Sequence, residues 1–363
     1  MFYFFPFYHT GGAEKVHAQI AAATGGNDCI IYFTKRSVDS RFMDDFKSSG
    51  CDVRDISSYA DNKLLYFLNL VCRGIITGYI NSQRTSPVVF NGQCNFAYKI
   101  SPWINKSVPQ IELIHSLNSF SYIRIPFLSF ISTTVMISKK RIEDHKKLYN
   151  RCRIPLSFLE KIKYIPNAIR LPQSIVLKNN NDFIVLYVGR GTVEKRVRLV
   201  AETAKALKNE KMNFEIMGDV TDSLNKDHYP FIQFYGNIHN ENTVSEIFGK
   251  AHVLMLTSST EGFPMVIMEA MAHGCAILST AVGDIPYHVK SNENGFLFTE
   301  IEDEKSIISE AIEKIIWLRS NRDELKRIAD NNIQYANHNF GIERFNKDYR
   351  DLFLSVKKKI ETT

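Results

Sequence analysis

The chain has 363 residues, 44% of them hydrophobic, enough to bury a large core and, by length, to build two domains rather than one. Its net charge of +6 is modest, and no basic run interleaved with aromatics accompanies it, which argues against a nucleic-acid partner. The six cysteines are scattered without any Cys-x-x-Cys pair, so they read as reduced thiols of a cytoplasmic protein rather than zinc ligands or a redox motif.

The apolar start Met1 to Tyr8 has no basic leader, is too short to span a bilayer and runs directly into His9-Thr10-Gly11-Gly12; it reads as a buried first strand. The Gly-Gly turn precedes a helix beginning near Ala13-Glu14-Lys15, and its glycines let backbone approach a ligand closely. Further strands are expected at Asp28 to Phe33, Val88 to Phe90, Ile111 to Ile114 and Val135 to Ile137, with His115 at the carboxyl end of the run 111–114. The positive surplus lies in these first 165 residues and is densest from Lys139 to Arg153. Two readings of that stretch stand side by side: a solvated helix face, or attraction to an anionic membrane or phosphate-bearing acceptor at about 1 kcal/mol per cation. The apolar run Ile123 to Ile131 reads as core before it reads as a membrane contact.

Residues 166–182 form the expected linker, because Pro166, Pro172 and Asn179-Asn180-Asn181 break any periodicity. Beyond it, short apolar runs alternate with helical periods: strands at Phe183 to Val188, Phe214 to Met217, Ile232 to Tyr235, Val253 to Thr257, Ala276 to Thr280 and Gly295 to Phe298. This predicts an α/β chain with a doubly wound parallel sheet, whose ligands bind where strands end at their carboxyl side. The expected domains are 1–165, followed after the linker by 183–339, with a charged closing helix over about 340–363.

Two such strand ends carry the chemistry. Val253 to Thr257 leads to Glu261-Gly262-Phe263-Pro264, where Pro264 opens a helix holding Glu269. Unpaired N–H groups at a helix start favour a phosphate or sugar hydroxyls. Residues eight apart on a helix are separated by about 12 Å, so the two carboxylates cannot share one atom but can hold two ends of an elongated ligand. Phe183 to Val188 ends in Gly189-Arg190-Gly191 with Lys195 beyond, and two cations there suit a diphosphate. Glu194 stands where a dinucleotide fingerprint needs its third glycine, which disfavours a nicotinamide site.

These segments resemble the retaining GT-B glycosyltransferases of family 4 (glycosyl transferases group 1). The resemblance rests on Gly11-Gly12-Ala13-Glu14, Val188-Gly189-Arg190 with Glu194-Lys195, Glu261-Gly262-Phe263-Pro264 with Glu269-Ala270-Met271-Ala272-His273-Gly274, and Asn294-Gly295. It implies two facing Rossmann-like domains with a central cleft, an acceptor side in the first and a donor site in the second, with the closing helix returning to the first. It further implies that Gly12, Arg190 and Lys195 bind the donor diphosphate. Glu261 with Gly262, Phe263 and Pro264 would bind the sugar, Glu269 the ribose, and His115 would lie near the reacting carbon. The donor is then a UDP-, GDP- or ADP-sugar and the acceptor a glycan or lipid-linked molecule, with no metal or other cofactor expected; acceptor loops are expected at 116–124 and after Ser138. The setting implied is surface polysaccharide assembly in the cytoplasm, at the inner face of the plasma membrane. The chain departs from the family pattern at Lys195-Arg196, Asn167-Ala168 and Gly283-Asp284-Ile285-Pro286-Tyr287, where Lys-Gly, Asn-Gly and Gly-Gly-x-Pro-Glu are usual. The rival readings are a nucleotide-sugar 2-epimerase on the same fold and a non-catalytic nucleotide-sugar binder.

Overall fold

The computed structural model describes residues 1–61, 66–85, 87–115, 117, 119–175, 178–179 and 182–361. The chain divides into two compact units, Met1–Asn167 with Glu343–Thr363, and Ala168–Ile342. The strands are β1 (Phe2–Phe5), β2 (Ile30–Phe33), β3 (Asp52–Asp55), β4 (Val89–Asn91), β5 (Gln110–Ile114), β6 (Thr133–Met136) and β7 (Ile162–Tyr164), then β8 (Ile184–Val188), β9 (Asn213–Met217), β10 (Ile232–Gly236), β11 (Val253–Leu256), β12 (Ala276–Thr280) and β13 (Gly295–Phe298). The longer helices are α1 (Gly12–Thr24), α2 (Tyr66–Asn81), α3 (Lys139–Arg151), α4 (Val197–Ala206), α5 (Glu241–Lys250), α6 (Met265–Ala272), α7 (Glu304–Ser320), α8 (Arg322–Asn339) and α9 (Ile342–Glu361). Among the described residues no helix is long and apolar enough to cross a membrane.

The first unit is a seven-stranded parallel sheet in the order β3-β2-β1-β4-β5-β6-β7. Its central strands are buried on both faces, which is why β1 reads Phe-Tyr-Phe-Phe without alternation. The two strands absent from the sequence reading, β3 and β7, are the two edges. β3 is Asp-Val-Arg-Asp and mostly exposed, and β7 is three residues long; edge strands of this kind avoid aggregation at the expense of any apolar signal. The closing helix α9 belongs to this unit. Phe353 meets the rings of Tyr3 and Phe90 at 6.2 and 5.6 Å, and Arg350 Nε donates to the carbonyl of Ala23 at 2.8 Å.

The expected acceptor loop at 116–124 is corrected at its last residue, while Ser116 and Asn118 lie outside the described residues. Arg124 is fully buried and pairs with Glu112 on β5. Burial alone pushes the Glu112 carboxyl up, but Arg124 and hydrogen bonds from Thr134 and Tyr98 outweigh it and hold the carboxyl below its ordinary range. Arg124 also donates to the Tyr149 hydroxyl at 2.7 Å. In the run 123–131, Leu128 and Ile131 are buried and Ile123 is exposed. The basic helix α3 answers part of its own charge: Lys140 and Arg141 reach Asp144 at 3.2 and 3.0 Å.

The second unit is a six-stranded parallel sheet in the order β10-β9-β8-β11-β12-β13. Its order reverses between β8 and β11, so the loops leaving those two strands splay apart and leave room for a ligand. In the first sheet the same reversal falls between β1 and β4. Part of the expected linker is built into the second unit: Lys178 Nζ donates to the carbonyls of Ala251 and Gly274, and Ile169 N donates to Phe340 O at 2.9 Å. Val176, Leu177, Asn180 and Asn181 of that linker lie outside the described residues.

Candidate active site

In the second unit, the loop after β8 and the middle of α6 meet over a cavity of about 260 Å³ lined by Gly189, Arg190, Gly218, Asn237 and Glu269, among others. Arg190 is exposed at its mouth, and Glu269 is half-buried on α6. Gly218 has φ +122, and a Cβ there would lie 2.0 Å from the Gly189 carbonyl oxygen, so only glycine lets the ends of β8 and β9 come this close. The arrangement thus joins Arg190 and Glu269, the residues assigned from sequence to diphosphate and ribose.

Lys195 and Glu261, 66 positions apart, are joined directly. Lys195 Nζ donates to Glu261 Oε1 at 2.5 Å, and Ser258 Oγ donates to the same oxygen at 2.7 Å. Ser258 is in turn held by Thr280, whose hydroxyl donates to its carbonyl at 2.6 Å. The pair therefore presents a cation and a carboxylate at one point beyond β11, each oriented by the other. The backbone behind it is tightly constrained: Gly283 has φ +60, and a Cβ would fall 2.3 Å from the carbonyl oxygens of both Glu261 and Gly262. Asp284 N donates to Gly262 O at 2.7 Å. The segment 283–287, which departs from the family pattern, is thus the floor of the Glu261 loop.

The Phe263 side chain is buried, stacked on His288 at 4.1 Å and tilted against Phe340 at 5.5 Å, so the ring anchors the loop. Pro264 caps α6 with φ −67, the value its ring enforces. Arg196, where glycine is usual, adopts the left-handed conformation with φ +48. Two hydrogen bonds hold it there, Nε to Thr257 O and Nη1 to Ile301 O, both at 2.7 Å. The side chain thereby offsets a backbone cost that glycine would not incur.

The first unit has its own cavity of about 510 Å³ at the β1/β4 reversal, lined by Glu14, His17 and His115 among others. Gly12 is the first residue of α1, and a Cβ there would meet nothing within 4 Å. His115 Nε2 lies 3.0 Å from His17 Nε2, and His17 stacks on Phe5 at 4.5 Å. Sequence reasoning missed His17; its one signal is its position a helical turn after Glu14 behind the Gly-Gly turn. Burial lowers both imidazoles, His115 to about 4 and His17 well below its ordinary value, with the neighbouring His115 adding to the effect.

Both histidines are therefore neutral when folded, whereas the unfolded chain takes up protons near pH 6.5. Their contribution to stability is complete above pH 6.5 and is lost as pH falls toward 4. We expect about 2 kcal/mol from His115, after allowing for the solvent that reaches its ring. Urea midpoints measured from pH 7 to 4.5 check this, and His115→Gln should flatten the slope; an unchanged slope would remove the assignment.

Among the described residues, no group of three or more His, Cys, Asp or Glu side chains could hold a metal ion.

Residues 172–334, which include Arg190, Lys195, Glu261 and Glu269, match the family described as glycosyl transferases group 1. Over that stretch the second unit is similar to a glycosyltransferase domain. The chain is 23% identical over 245 residues to an uncharacterized 41.2 kDa protein in the cps region of Klebsiella pneumoniae, covering 67% of this chain and 65% of the relative. The chain spans from 45% to 65% of the length of three curated relatives that it matches. Among solved structures, Anabaena HepE in complex with UDP-glucose is similar with a TM-score of 0.72 at 15% identity, covering 98% of this chain and 99% of that one. The lipopolysaccharide outer core galactosyltransferase WaaB is similar with a TM-score of 0.69 at 18% identity, covering 98% and 99%. These likenesses show the fold alone: each unit is a Rossmann-like parallel sheet flanked by helices, as in GT-B proteins.

Proposed function

We propose that the chain is a retaining, metal-independent glycosyltransferase of family 4 that moves a hexose-type sugar from a UDP-sugar to a glycan or lipid-linked acceptor. The observation carrying this reading is the joint placement of Arg190 and Glu269 on one cavity, with the Lys195–Glu261 pair at the neighbouring strand end. In this reading Glu269 accepts hydrogen bonds from the ribose diol, Arg190 and Lys195 meet the diphosphate, and Glu261 holds a sugar hydroxyl. By the family resemblance alone, Gly12 would meet the phosphates and His115 the reacting carbon. The bond from the anomeric carbon to the diphosphate breaks as the acceptor oxygen attacks on the same face. The acceptor proton passes to the departing phosphate oxygen, so no enzyme nucleophile is needed. Arg190 and Lys195 stabilise the charge that develops on the leaving group. UDP is favoured over other nucleotides because the similar HepE structure holds UDP-glucose. Surface polysaccharide assembly is favoured by the likeness to an outer core galactosyltransferase.

A thermal-shift screen of UDP-, GDP- and ADP-sugars tests the donor. A ligand at one hundred times its Kd stabilises the fold by about 2.7 kcal/mol, so UDP-glucose or a close analogue should raise Tm clearly. Absence of a shift with every nucleotide-sugar at millimolar concentration would overturn the reading, and an inverted anomeric configuration in the product, read by proton NMR, would overturn retention.

A further inference from the structure

Two of the free cysteines face each other at the edge of the first sheet. Cys29 immediately precedes β2 and Cys51 immediately precedes β3. These strands run parallel with Ile30 opposite Asp52, and Asp52 N donates to Cys29 O at 2.9 Å, so the register sets Cys29 beside Cys51. Neighbouring strands lie about 4.8 Å apart, inside the range of roughly 4.4–6.8 Å that a disulfide spans between Cα atoms. Both sulfurs also lie against the end of α1. Cys29 Sγ donates to Thr24 O at 4.0 Å, and a Cβ on Gly25 would fall 2.8 Å from Cys51 Sγ.

The two thiols are unequal. The Cys29 thiol beside it pushes Cys51 down to about 6 against the opposing effect of burial, with Ser49 and the Gly26 backbone adding to the shift. Cys29 is pushed up, by Cys51 and by burial. Cys51 is therefore the nucleophile and Cys29 the resolving thiol. The residues are 7% and 8% exposed, which admits a small oxidant in preference to a bulky disulfide. We propose that Cys29 and Cys51 form a reversible disulfide in response to a peroxide. The Cys51 thiolate attacks one peroxide oxygen; the S–O bond forms, the O–O bond breaks, and the departing hydroxide takes up a proton to become water. Cys29 then gives up its proton and attacks the Cys51 sulfur, forming the S–S bond and releasing a second water. Two thiols are oxidised and one peroxide is reduced. A dithiol reverses the reaction by exchange. The site lies at the amino ends of β2 and β3, whereas Gly12 and His115 follow the carboxyl ends of β1 and β5, so the inference does not depend on sugar transfer.

The test treats the full chain with hydrogen peroxide and digests it with trypsin without reductant. The expected product is the cross-linked pair Val16–Lys35 with Ser48–Arg54, lost on adding dithiothreitol. The cross-link closes a loop between positions 29 and 51, so it should lower the unfolding equilibrium constant in urea about a hundredfold. With dimedone present, Cys29→Ala should be labelled at Cys51, and Cys51→Ala should stay unlabelled at Cys29. Absence of the cross-linked pair in the wild-type chain would overturn the proposal, and this readout needs no variant to fold. Labelling of Cys29 instead of Cys51 would overturn the order of attack, and an unchanged urea midpoint would overturn the stabilisation.

Discussion

Lys195→Ala should lower turnover of the accepted nucleotide-sugar by about 10²- to 10³-fold, the loss typical when one charged or hydrogen-bonding stabiliser of a developing anion is removed. The structure makes the effect larger than the loss of a point charge. Without Lys195, the Glu261 carboxylate keeps the Ser258 hydroxyl but loses the cation bonded to it, and its negative charge then faces an incoming diphosphate. Glu261→Ala should be similarly damaging, because it removes the sugar contact and the group that orients Lys195. Since each side chain fixes the other, the double variant should cost less than the product of the single effects. Steady-state rates for the four proteins, with circular dichroism to confirm folding, provide the check. Wild-type turnover in Lys195→Ala would refute the site assignment, and strictly multiplicative losses would refute the coupling.

The second large effect is on stability. Arg124→Ala should destabilise the first unit by about 3–5 kcal/mol, the cost of leaving a buried charge without its partner. Glu112 would remain fully buried, keeping only the Thr134 and Tyr98 hydroxyls at 2.6 and 2.7 Å. Replacing both members, as in Glu112→Leu/Arg124→Met, should recover most of the loss, because apolar groups of similar volume need no partner there. Urea unfolding measures both variants. A change below about 0.5 kcal/mol in Arg124→Ala, the range of ordinary surface substitutions, would show that the pair is not needed for the fold.

The two cases mark different limits of reading a chain. Arg124 lies in a segment of aromatic, polar and apolar residues that looks like a variable surface loop, and nothing local announces that its side chain turns inward to Glu112. Phe263 is similar: it sits inside the most specific motif of the chain, yet its ring packs on His288 and Phe340, residues distant in sequence. The edge strands β3 and β7 were illegible for the opposite reason, since their exposure removes the apolar pattern by which a strand is recognised.

What the sequence determined by itself was everything governed by local rules. The alternation of apolar runs and helical periods, the glycine turns at strand ends and the proline that opens α6 depend on backbone preferences within a few residues. They therefore placed Gly12, His115, Arg190, Lys195, Glu261 and Glu269 beside strand ends before any fold was known. Only the tertiary structure decided which of these groups meet. Lys195 joins Glu261 across 66 positions and His115 joins His17 across 98, because parallel strands return to one edge of a sheet only after a crossover. Pairing at that distance is set by strand order and packing, which no short segment encodes.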